Sequence, residues 1–534
     1  MDLWHRILTI WDSNEVLGES KRMERFNAYS KFKELFLARG NMTAMMSEDG
    51  VDISYLNLVK NVSKISHSLI ALGVKSGENI GILMPNSVEY IQIFFGLINI
   101  GATPVMLNND YTFRELKYTL EHADITCLIT GEERQLELID LIRKSKSEGD
   151  LEKLRIVLSS NNVIQTGSLI STANLEFDEP NDFEGIVNDV AMILYTSGTT
   201  SNPKAVMLSH KAIWESVQAE NGVFEYDETD TVLNALPLSH IMGLCATSLV
   251  SLYSGAKLIV VSKFKTDKVL SLIERYNCTV FNGVPTMFRF LINKIDGYHI
   301  TSLKGALIGG SACHRNLLSQ IKSKLQVDHI FTGYAQTESL IISIVRKGNK
   351  KDNKLGVVGQ PLDGVEVKIE KKNPNDMNGE ILIKSDYNMM GYYNDEEKTA
   401  KTIDKDGYLR TGDIGRLDPS NNIVIINRVS DIIIRGGENI SPIEVEDVIS
   451  KYPGVNTVTV FGVEDELMGQ EVCAYIVPSG EPHIDLEDLK RFLETSLAKF
   501  KIPKYIRFTS KLPLTTSGKV KKYELQAQFK EKLK

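Results

Sequence analysis

The stretch Thr196-Ser197-Gly198-Thr199-Thr200-Ser201-Asn202-Pro203-Lys204 carries most of the structural information in this sequence. An apolar run from Ala191 to Tyr195 precedes it and predicts a buried strand, and a second run from Ala205 to Leu208 predicts another. The nine residues therefore form a tight, hydroxyl-rich loop between two strands. Backbone N–H groups freed by Gly198, the hydroxyl groups and the Lys204 ammonium suit a polyphosphate, whereas the competing interpretation is an ordinary Ser/Thr/Gly turn. The loop is not a Walker A motif, because G-x-x-x-x-G-K-[ST] is absent and no helix is predicted to begin at the lysine.

Length and composition indicate a globular protein of two or more domains. A chain of 534 residues is too long for one hydrophobic core, and 42% hydrophobic and 24% charged residues are ordinary for a globular protein. The net charge of -8 argues against a general nucleic-acid-binding protein. The cysteines form no C-x-x-C pair, so they predict reduced thiols and neither a disulfide framework nor a zinc site. They are Cys127, Cys245, Cys278, Cys313 and Cys473.

No stretch of the sequence resembles a targeting signal or a membrane span. Residues 1–25 lack a basic start and predict a short amphipathic helix. The most apolar segment, Tyr90 to Leu107, contains Gln92 and Asn99, so it predicts a buried helix followed by a strand. The last residues are not a peroxisomal address. We therefore expect a cytoplasmic protein without a transmembrane segment.

The chain changes its pattern twice, which predicts an α/β fold with a small second domain. From Tyr55 to about residue 340, helical periodicity alternates with short apolar strands, as in largely parallel sheets built from βα units. Short alternating segments then predict a small antiparallel sheet or a β-barrel-like subdomain. After Arg428 to Asp431, one helix, two strands and another helix predict a small α+β domain. We therefore expect domains at residues 1–427 and 428–534.

Further short motifs lie along the chain, each at a predicted strand end or in a loop. They are Leu236-Pro237-Leu238-Ser239-His240-Ile241, Gly309-Gly310-Ser311-Ala312, Tyr334-Ala335-Gln336-Thr337-Glu338, Thr411-Gly412-Asp413, Arg428, Arg435-Gly436-Gly437-Glu438-Asn439-Ile440-Ser441-Pro442 and Leu514-Thr515-Thr516-Ser517-Gly518-Lys519. Ligands bind open α/β sheets at the carboxyl ends of strands, so the placement of the glycine pair and of the Tyr-Ala-Gln-Thr-Glu motif favours a binding site.

In this order, the motifs and the hydroxyl-rich loop resemble the adenylate-forming superfamily over residues from about 26 to 530. That superfamily contains acyl-CoA synthetases, firefly luciferase and the adenylation domains of nonribosomal peptide synthesis, and the resemblance is nearest to the acyl-CoA synthetases. The chain departs from the family pattern at Ser201, Ala205 and Ala335, where glycine is usual. It also has Ser430 at the hinge position, where aspartate or lysine is common.

The resemblance implies roles for individual residues of this chain. Those implied to bind ATP or CoA are Thr196, Ser197, Gly198, Thr199, Thr200, Lys204, Gly310, Ser311, Tyr334, Thr337, Asp413, Arg428, Gly437 and Lys519. Those implied to line the acyl site are His240, Gly309, Gly333 and Ala335, with Cys245, Val284, Met287 and Ala312 near an apolar pocket. A packed core histidine is the alternative for His240.

The catalytic residues implied by the resemblance are Lys519, Thr337 and Glu338. Attack of a carboxylate on a phosphate brings two anions together, so a fixed cation such as Lys519 must offset their repulsion. Glu338 is implied to hold Mg²⁺ on the phosphates, because carboxylate oxygens suit that ion. The small domain is implied to be mobile and to turn about Ser430, which presents a tunnel at Gly437 to a thiol.

The function implied is an ATP-dependent ligase that joins a fatty or aryl carboxylic acid to coenzyme A through an acyl-adenylate. The segment 234–240 lacks the aspartate with which amino-acid adenylation domains pair the substrate's amine. Only 15 residues follow Lys519, too few for a carrier domain. A stand-alone enzyme that loads a separate carrier protein remains the first alternative, and a catalytically dead nucleotide-binding protein the second. We expect a monomer or a homodimer.

Overall fold

The structure is a computed structural model. It describes residues 26–131, 149–159, 163–165, 168–170, 188–196, 203–311, 313, 315–346, 356–428, 431–480, 483–515 and 518–533, together with 134, 138, 142–145 and 147. The predictions for residues 1–25, for Ser197–Thr200, for Ala312 and for Ser430 lie outside the described residues.

The strands alternate with helices through most of the chain. In chain order they are β1 (Thr43–Ser47), β2 (Asp52–Ser54), β3 (Asn79–Leu83), β4 (Thr103–Met106), β5 (Cys127–Thr130), β6 (Ile156–Ser159), β7 (Val163–Gln165), β8 (Ser168–Ile170), β9 (Val190–Thr196), β10 (Lys204–Ser209), β11 (Thr231–Asn234), β12 (Lys257–Val260), β13 (Val280–Phe281), β14 (Gly305–Ile308), β15 (His329–Gln336), β16 (Leu340–Ile344), β17 (Gln360–Pro361), β18 (Glu366–Glu370), β19 (Gly379–Lys384), β20 (Gly391–Tyr392), β21 (Leu409–Leu417), β22 (Ile423–Arg428), β23 (Ile433–Arg435), β24 (Glu438–Ile440), β25 (Val455–Asp465), β26 (Gly469–Pro478) and β27 (Tyr505–Phe508).

The helices are mostly of two to four turns. They are Ala28–Arg39, Tyr55–Ala71, Val88–Asn99, Phe113–His122, His210–Phe224, Ile241–Gly243, Val250–Ser254, Thr266–Tyr276, Pro285–Lys294, Arg315–Lys324, Glu396–Thr402, Pro442–Ser450, Leu486–Ser496 and Lys522–Leu533, with a π-helical segment at Leu244–Leu249 and a 3₁₀ turn at Lys499–Lys501.

Two large sheets carry the parallel strands that the sequence predicts. In the described residues, one has nine strands in the order β17-β16-β15-β14-β13-β11-β12-β1-β2, with parallel pairing from β15 through β1. The other has nine in the order β20-β10-β9-β4-β3-β5-β6-β7-β8, with parallel pairing from β9 through β6. Such parallel strands need helical crossovers, which the alternating sequence supplies.

Helices between the two sheets form one continuous apolar core. The side chains of Phe32, Phe36 and Phe95 pack against each other there, and Trp214 packs edge-on against Phe32. Three of these helices begin at a serine whose hydroxyl accepts an N–H of the first turn, at residues 54, 87 and 209. These caps stabilise the helix starts that the periodicity predicts.

Two smaller sheets follow. The segment predicted as a sheet or a barrel-like subdomain is a four-stranded antiparallel sheet in the order β18-β19-β21-β22. Residues 431–533, which we call the C-terminal lobe, contain a further sheet of β24-β23-β26-β25 with β27 beside β26. That sheet and the helices Pro442–Ser450 and Leu486–Ser496 enclose a separate core. The described residues before 431 are the N-terminal lobe.

The hydroxyl-rich loop connects an antiparallel hairpin, as its flanking runs predict. Lys204, at the start of β10, lies opposite Thr196, at the end of β9. Lys204 therefore begins a strand and no helix, which confirms the distinction from a Walker A loop. In the described part of the chain, no helix is long and apolar enough to cross a membrane.

Candidate active site

The candidate site is a cleft of about 2230 Å³ at the carboxyl edge of the first large sheet. Three parallel strands of this sheet deliver motifs to it, with β14 and β15 adjacent and β13 between β14 and β11. The segment ending at His240 follows β11, Gly309 and Gly310 follow β14, and Glu338 follows β15. Because the carboxyl ends of parallel strands share one edge, the fold brings together motifs that are far apart in the sequence.

Most of the site residues implied by the sequence line this one cleft. Those that do are Thr196, Lys204, His240, Gly309, Gly310, Ser311, Gly333, Tyr334, Ala335, Thr337, Glu338, Asp413, Arg428 and Lys519. Gly437 does not. It is exposed at the tip of the β23–β24 hairpin, where Gly436 and Gly437 have φ values of 56° and 88°. The left-handed conformation at both positions suits glycine, so this pair makes a tight two-residue turn.

Asp413 is the centre of a buried polar network in the cleft. It is 7% exposed, and its Oδ2 accepts hydrogen bonds from the Tyr334 hydroxyl and from Gln336 Nε2, the latter at 2.6 Å. Arg428 lies directly opposite on β22, with Nε 3.5 Å from Asp413 Oδ1. Burial raises the pKa of Asp413, while Arg428, Tyr334 and Gln336 all act to lower it. The three partners therefore oppose the cost of burying a negative charge.

Thr411-Gly412-Asp413 is part of a strand and is not the turn that such a motif usually forms. All three residues lie within β21, and Gly412 has a φ of 70° that distorts the strand locally. The Thr411 hydroxyl donates to the Ile381 carbonyl at 2.7 Å, and the Asp413 N–H donates to the Thr411 hydroxyl at 3.1 Å. The local hydrogen bonds hold the aspartate side chain in the cleft.

Glu338 lies in a second cluster with a lysine and a tyrosine. The Tyr392 hydroxyl donates to Glu338 Oε1 at 3.0 Å, and Lys204 Nζ lies 5.3 Å from the centre of the Tyr392 ring. Burial lowers the pKa of Lys204, whereas the charge of Glu338 raises it. β20 positions Tyr392 by pairing with β10, opposite Val206. The hairpin that carries Lys204 therefore also places the partner of Glu338.

Lys519 of the C-terminal lobe extends into the cleft. The residue remains exposed to solvent in the cleft. Partial desolvation there lowers the pKa of Lys519, as does Arg428, while Glu338 and Asp413 raise it. A tight turn presents it: the Gly518 N–H donates to the Thr515 carbonyl at 2.9 Å, and the Thr515 N–H donates to the Lys519 carbonyl at 2.7 Å. The lysine charge thus lies among charges contributed by the N-terminal lobe.

The same turn contacts the N-terminal lobe closely at Gly518. This glycine has a φ of 78°, and a Cβ there would lie 2.6 Å from Val284 Cγ2 and 3.1 Å from Thr286 Oγ1. Both the backbone conformation and the close approach therefore require glycine.

His240 faces the cleft, and its Nδ1 accepts the N–H of Met242 at 3.3 Å. Desolvation, and secondly the charge of Lys519, lowers its pKa to about 4, so the ring is neutral near pH 7. His240 is therefore packed against its neighbours and also lines the cleft. The two interpretations from the sequence, a packed histidine and an acyl-site histidine, are thus compatible.

Two contributors were missed in the sequence, Gln336 and Tyr392. Gln336 occupies the variable position of its motif, and Nε2 also donates to the Thr411 carbonyl at 2.9 Å. Its position inside the Tyr-Ala-Gln-Thr-Glu motif was the sequence signal that could have identified it as a site residue. Tyr392 follows a glycine in a loop of ordinary composition, and the sequence contains no signal that pairs it with Glu338.

Among the described residues, no group of three or more His, Cys, Asp or Glu side chains is placed to hold a metal ion. Glu338 contributes its carboxylate to the cleft near Lys204.

Comparison with known families covers most of this chain. Residues 33–393 match the AMP-binding enzyme family, and residues 444–519 match the AMP-binding enzyme C-terminal domain. The first match alone spans more than half of the sequence, so the similarity is not restricted to the short motifs.

Named relatives and solved structures agree with this match. The 3-[(3aS,4S,7aS)-7a-methyl-1,5-dioxo-octahydro-1H-inden-4-yl]propanoyl:CoA ligase of Rhodococcus jostii is 31% identical, covering 92% of this chain and 96% of its own. A mitochondrial medium-chain acyl-CoA ligase of Mus musculus is 31% identical over 91% of this chain and 84% of its own. ATP-bound MatB from Rhodopseudomonas palustris superposes with a TM-score of 0.84 at 27% identity, over 95% of this chain and 99% of MatB. The chain belongs to the adenylate-forming family of AMP-binding enzymes, among its acyl-CoA synthetases.

Proposed function

We propose that this enzyme joins a carboxylic acid, fatty or aryl, to coenzyme A at the expense of ATP. In the first step, a carboxylate oxygen bonds to the α-phosphorus of ATP, and pyrophosphate leaves. In the second step, the thiol sulfur bonds to the acyl carbon, its proton is released, and AMP leaves. The observation that best supports this proposal is the position of Lys519. It belongs to the C-terminal lobe but lines the cleft near Glu338, Asp413 and Arg428 of the N-terminal lobe.

Each end of the nucleotide has suitable partners in the cleft. We assign Asp413 to the ribose hydroxyls, because an ionised carboxylate accepts two hydrogen bonds. Lys204 and the hydroxyl-rich loop are assigned to the distal phosphates, and Thr337 to the α-phosphate. Gly310 and Ser311 line the position assigned to the base. Gly309, Gly333, Ala335 and His240 are assigned to the acyl group.

Glu338 fits Mg²⁺ brought in with the phosphates, because that ion is commonly held by one or two carboxylates together with the substrate's own oxygens. When bound, the ion offsets phosphate charge. The chain's own contribution is the cation of Lys519, placed where negative charge develops as the carboxylate approaches the phosphate. The lowered pKa of Lys519 is opposed by Glu338 and Asp413, which favour its charged form.

The two steps require different surfaces of the C-terminal lobe. Lys519 lines the cleft, whereas Gly437 lies outside it on an exposed hairpin. We propose that the lobe turns about Ser430 after adenylation, which withdraws Lys519 and brings Gly437 to the thiol. The domain division at residues 427 and 428 is part of the same proposal, and the separate core beyond residue 431 supports it. β22 runs through Arg428, so this residue itself packs with the N-terminal lobe. The reduced thiols of Cys127, Cys245, Cys278 and Cys473 support the proposed cytoplasmic location.

A panel of aliphatic and aryl acids tests the proposal. Pyrophosphate release with ATP and Mg²⁺ reports the first step, and CoA thioester formation, compared with phosphopantetheinylated carrier proteins, reports the second. We expect acid-dependent pyrophosphate release and an acyl-CoA product. If the acyl group is transferred only to a carrier protein, the thiol substrate is the carrier's phosphopantetheine and not CoA. If no acid causes pyrophosphate release, the protein is better described as a nucleotide-binding protein without this activity.

A further inference from the structure

Glu220 is a buried carboxyl group that the proposed chemistry does not use. It lies on the helix His210–Phe224, whose inward face also carries Ile213, Ser216 and Val217. The residue is 1% exposed, yet it lines the cleft. A lone acidic residue at an otherwise buried helical position requires a partner, because an unpaired buried polar group is costly.

Only one of its two oxygens has such a partner. The Ser216 hydroxyl donates to Glu220 Oε1 at 2.8 Å. Oε2 is inaccessible to solvent and has no hydrogen-bond partner in the part of the chain that the structure describes. Burial raises the pKa of Glu220 to about 8, and the Ser216 bond opposes this only in part. Near neutral pH the group is therefore a protonated acid with one O–H to donate.

A series of neighbours connects this carboxyl group to the reacting end of the cleft. The charge of Lys519 contributes to lowering the pKa of His240, after desolvation, and the backbone N–H of Met242 donates a hydrogen bond to His240 Nδ1. Met242 also lines the cleft and packs against Gly309, with Cε 3.3 Å from where a Cβ on that glycine would lie. One turn further along the chain, the Cys245 thiol lies close enough to Glu220 for its pKa to respond to the carboxyl group.

The far end of this path is otherwise apolar or neutral. Burial raises the pKa of Cys245 well above its usual value, and it also raises the pKa of Tyr226. Burial, and to a smaller degree nearby acids that include Glu220, raises the pKa of Tyr387 to about 12. These groups face Glu220 without a charge below pH 8, and the neighbouring strand β16 contributes only Leu340-Ile341-Ile342-Ser343-Ile344. Glu220 is thus a buried hydrogen-bonding group among uncharged neighbours at the wall of the cleft.

We propose that Glu220 is a specificity-determining residue that donates a hydrogen bond to an oxo or hydroxyl oxygen at the distal end of the substrate acid. The inference rests on the proposed function and specifies its substrate class: carboxylic acids that carry an oxygen acceptor away from the reacting carboxylate. A site built around a hydrogen bond discriminates against an analogue that leaves its polar group unpaired. An unsubstituted alkyl acid of the same length would leave Glu220 Oε2 unpaired.

Matched acids and three variants test the proposal. For each chain length, an unsubstituted acid is compared with its distal oxo, hydroxyl and amino analogues. The variants are Glu220→Met, which is apolar and of similar size, Glu220→Gln, which keeps an N–H donor, and the control Glu215→Gln on the same helix. We expect the wild type and Glu215→Gln to favour the oxo or hydroxy acid in kcat/KM by about 10-fold to 100-fold. Glu220→Met should abolish this preference, and Glu220→Gln should keep most of it.

The pH dependence adds a measurement that a merely structural role would not change. An ionised Glu220 cannot donate, so the KM of the wild type for the oxo acid should rise above about pH 8. The KM of the wild type for the unsubstituted acid should stay constant over this pH range. In Glu220→Gln, the KM should not rise for either acid.

Ligand-induced shifts of the unfolding midpoint separate this inference from the proposed function. Preferential stabilisation by the oxo or hydroxy acid that is lost in Glu220→Met supports the inference, even if no acid releases pyrophosphate. If no such acid binds or reacts better than its unsubstituted counterpart, the inference is wrong. A preference for the acid that carries the distal amino group also overturns the inference, because a distal ammonium would pair with an ionised Glu220.

Discussion

Asp413 and Glu220 are two buried carboxyl groups that line the same cleft but differ in their surroundings. Asp413 has a guanidinium across the strand pair and two hydrogen-bond donors at Oδ2. Glu220 has one hydroxyl, and burial raises its pKa to about 8. Partners therefore decide whether a buried acid serves as a negative acceptor or as a neutral donor. Under the assignments that we propose, the nucleotide end accepts hydrogen bonds and the acyl end donates one.

Lys519 lies between these ends, and replacing it should have the largest effect. Lys519→Ala removes the cation that we propose offsets the repulsion between the carboxylate and the phosphate. We expect a loss of about 10²–10³ in kcat for acyl-adenylate formation, or about 2.7–4 kcal/mol. Pyrophosphate release under saturating ATP and acid measures this loss, and binding at either end of the cleft should change little.

Lys530→Ala is the matched control, since Lys530 pairs with Glu464 on the surface, 2.8 Å apart. Thioester formation from chemically prepared acyl-adenylate separates the two steps, and Lys519→Ala should retain it. Equal activity of the wild type and Lys519→Ala in the first step would refute the assigned role.

Asp413→Asn should affect the nucleotide end alone. The neutral amide is a weaker acceptor and leaves Arg428 without its opposing charge. A hydrogen bond to a charged group contributes about 1.5–3 kcal/mol, so we expect the KM for ATP to rise by roughly 10-fold to 100-fold. The KM for the acid should stay the same. Asp386→Asn, at an exposed pair with Lys211, serves as control; an equal rise of both KM values would contradict the division of the cleft.

The sequence predicted the framework well because the framework depends on local patterns. β3 and β14 are two of the short strands that alternate with helices as predicted, and the helix Pro442–Ser450 follows Arg428 to Asp431 as the change of pattern predicted. β15 continues through Tyr334, Ala335 and Gln336 of the motif that was predicted at a strand end or in a loop, because pairing with β16 extends the strand. Tertiary pairing of this kind has no local signal.

The site was predicted less completely, for the same reason. Motif residues such as Asp413 and Lys519 carry a recognisable neighbourhood, and they line the cleft as expected. Tyr392 is paired with Glu338, which is far away in the sequence. Glu220 bonds to Ser216 on its own helix, but its burial at the cleft depends on how separate elements pack. Gly437 shows a third case: the motif is present, but the conformation of the C-terminal lobe leaves it outside the cleft.

Gly518→Ala should have an intermediate effect on how Lys519 reaches the cleft. A left-handed backbone costs a non-glycine residue about 1–2 kcal/mol, and the new Cβ would lie 2.6 Å from Val284 Cγ2. We expect roughly a 10-fold fall in the rate of the first step, given the strain cost. Adding Val284→Ala should recover part of the loss by removing the clash, and a double-mutant cycle measures this coupling. If the effects of Gly518→Ala and Val284→Ala are independent, the turn at Gly518 does not contact Val284 in the reacting enzyme.

Tyr392→Phe should have the smallest effect, because it removes one hydrogen bond and keeps the ring beside Lys204. The lost bond is the one at 3.0 Å to Glu338 Oε1. A typical hydrogen bond contributes about 0.5–1.5 kcal/mol, so we expect the rate of pyrophosphate release to fall by roughly 3-fold to 10-fold. Tyr393→Phe is the adjacent control, since that hydroxyl donates instead to Asp124 Oδ2 at 3.3 Å. Tyr392→Leu, which also removes the ring, should be slower than Tyr392→Phe. If Tyr392→Phe and Tyr393→Phe change the rate alike, the hydroxyl does not position Glu338 for its role at the nucleotide end.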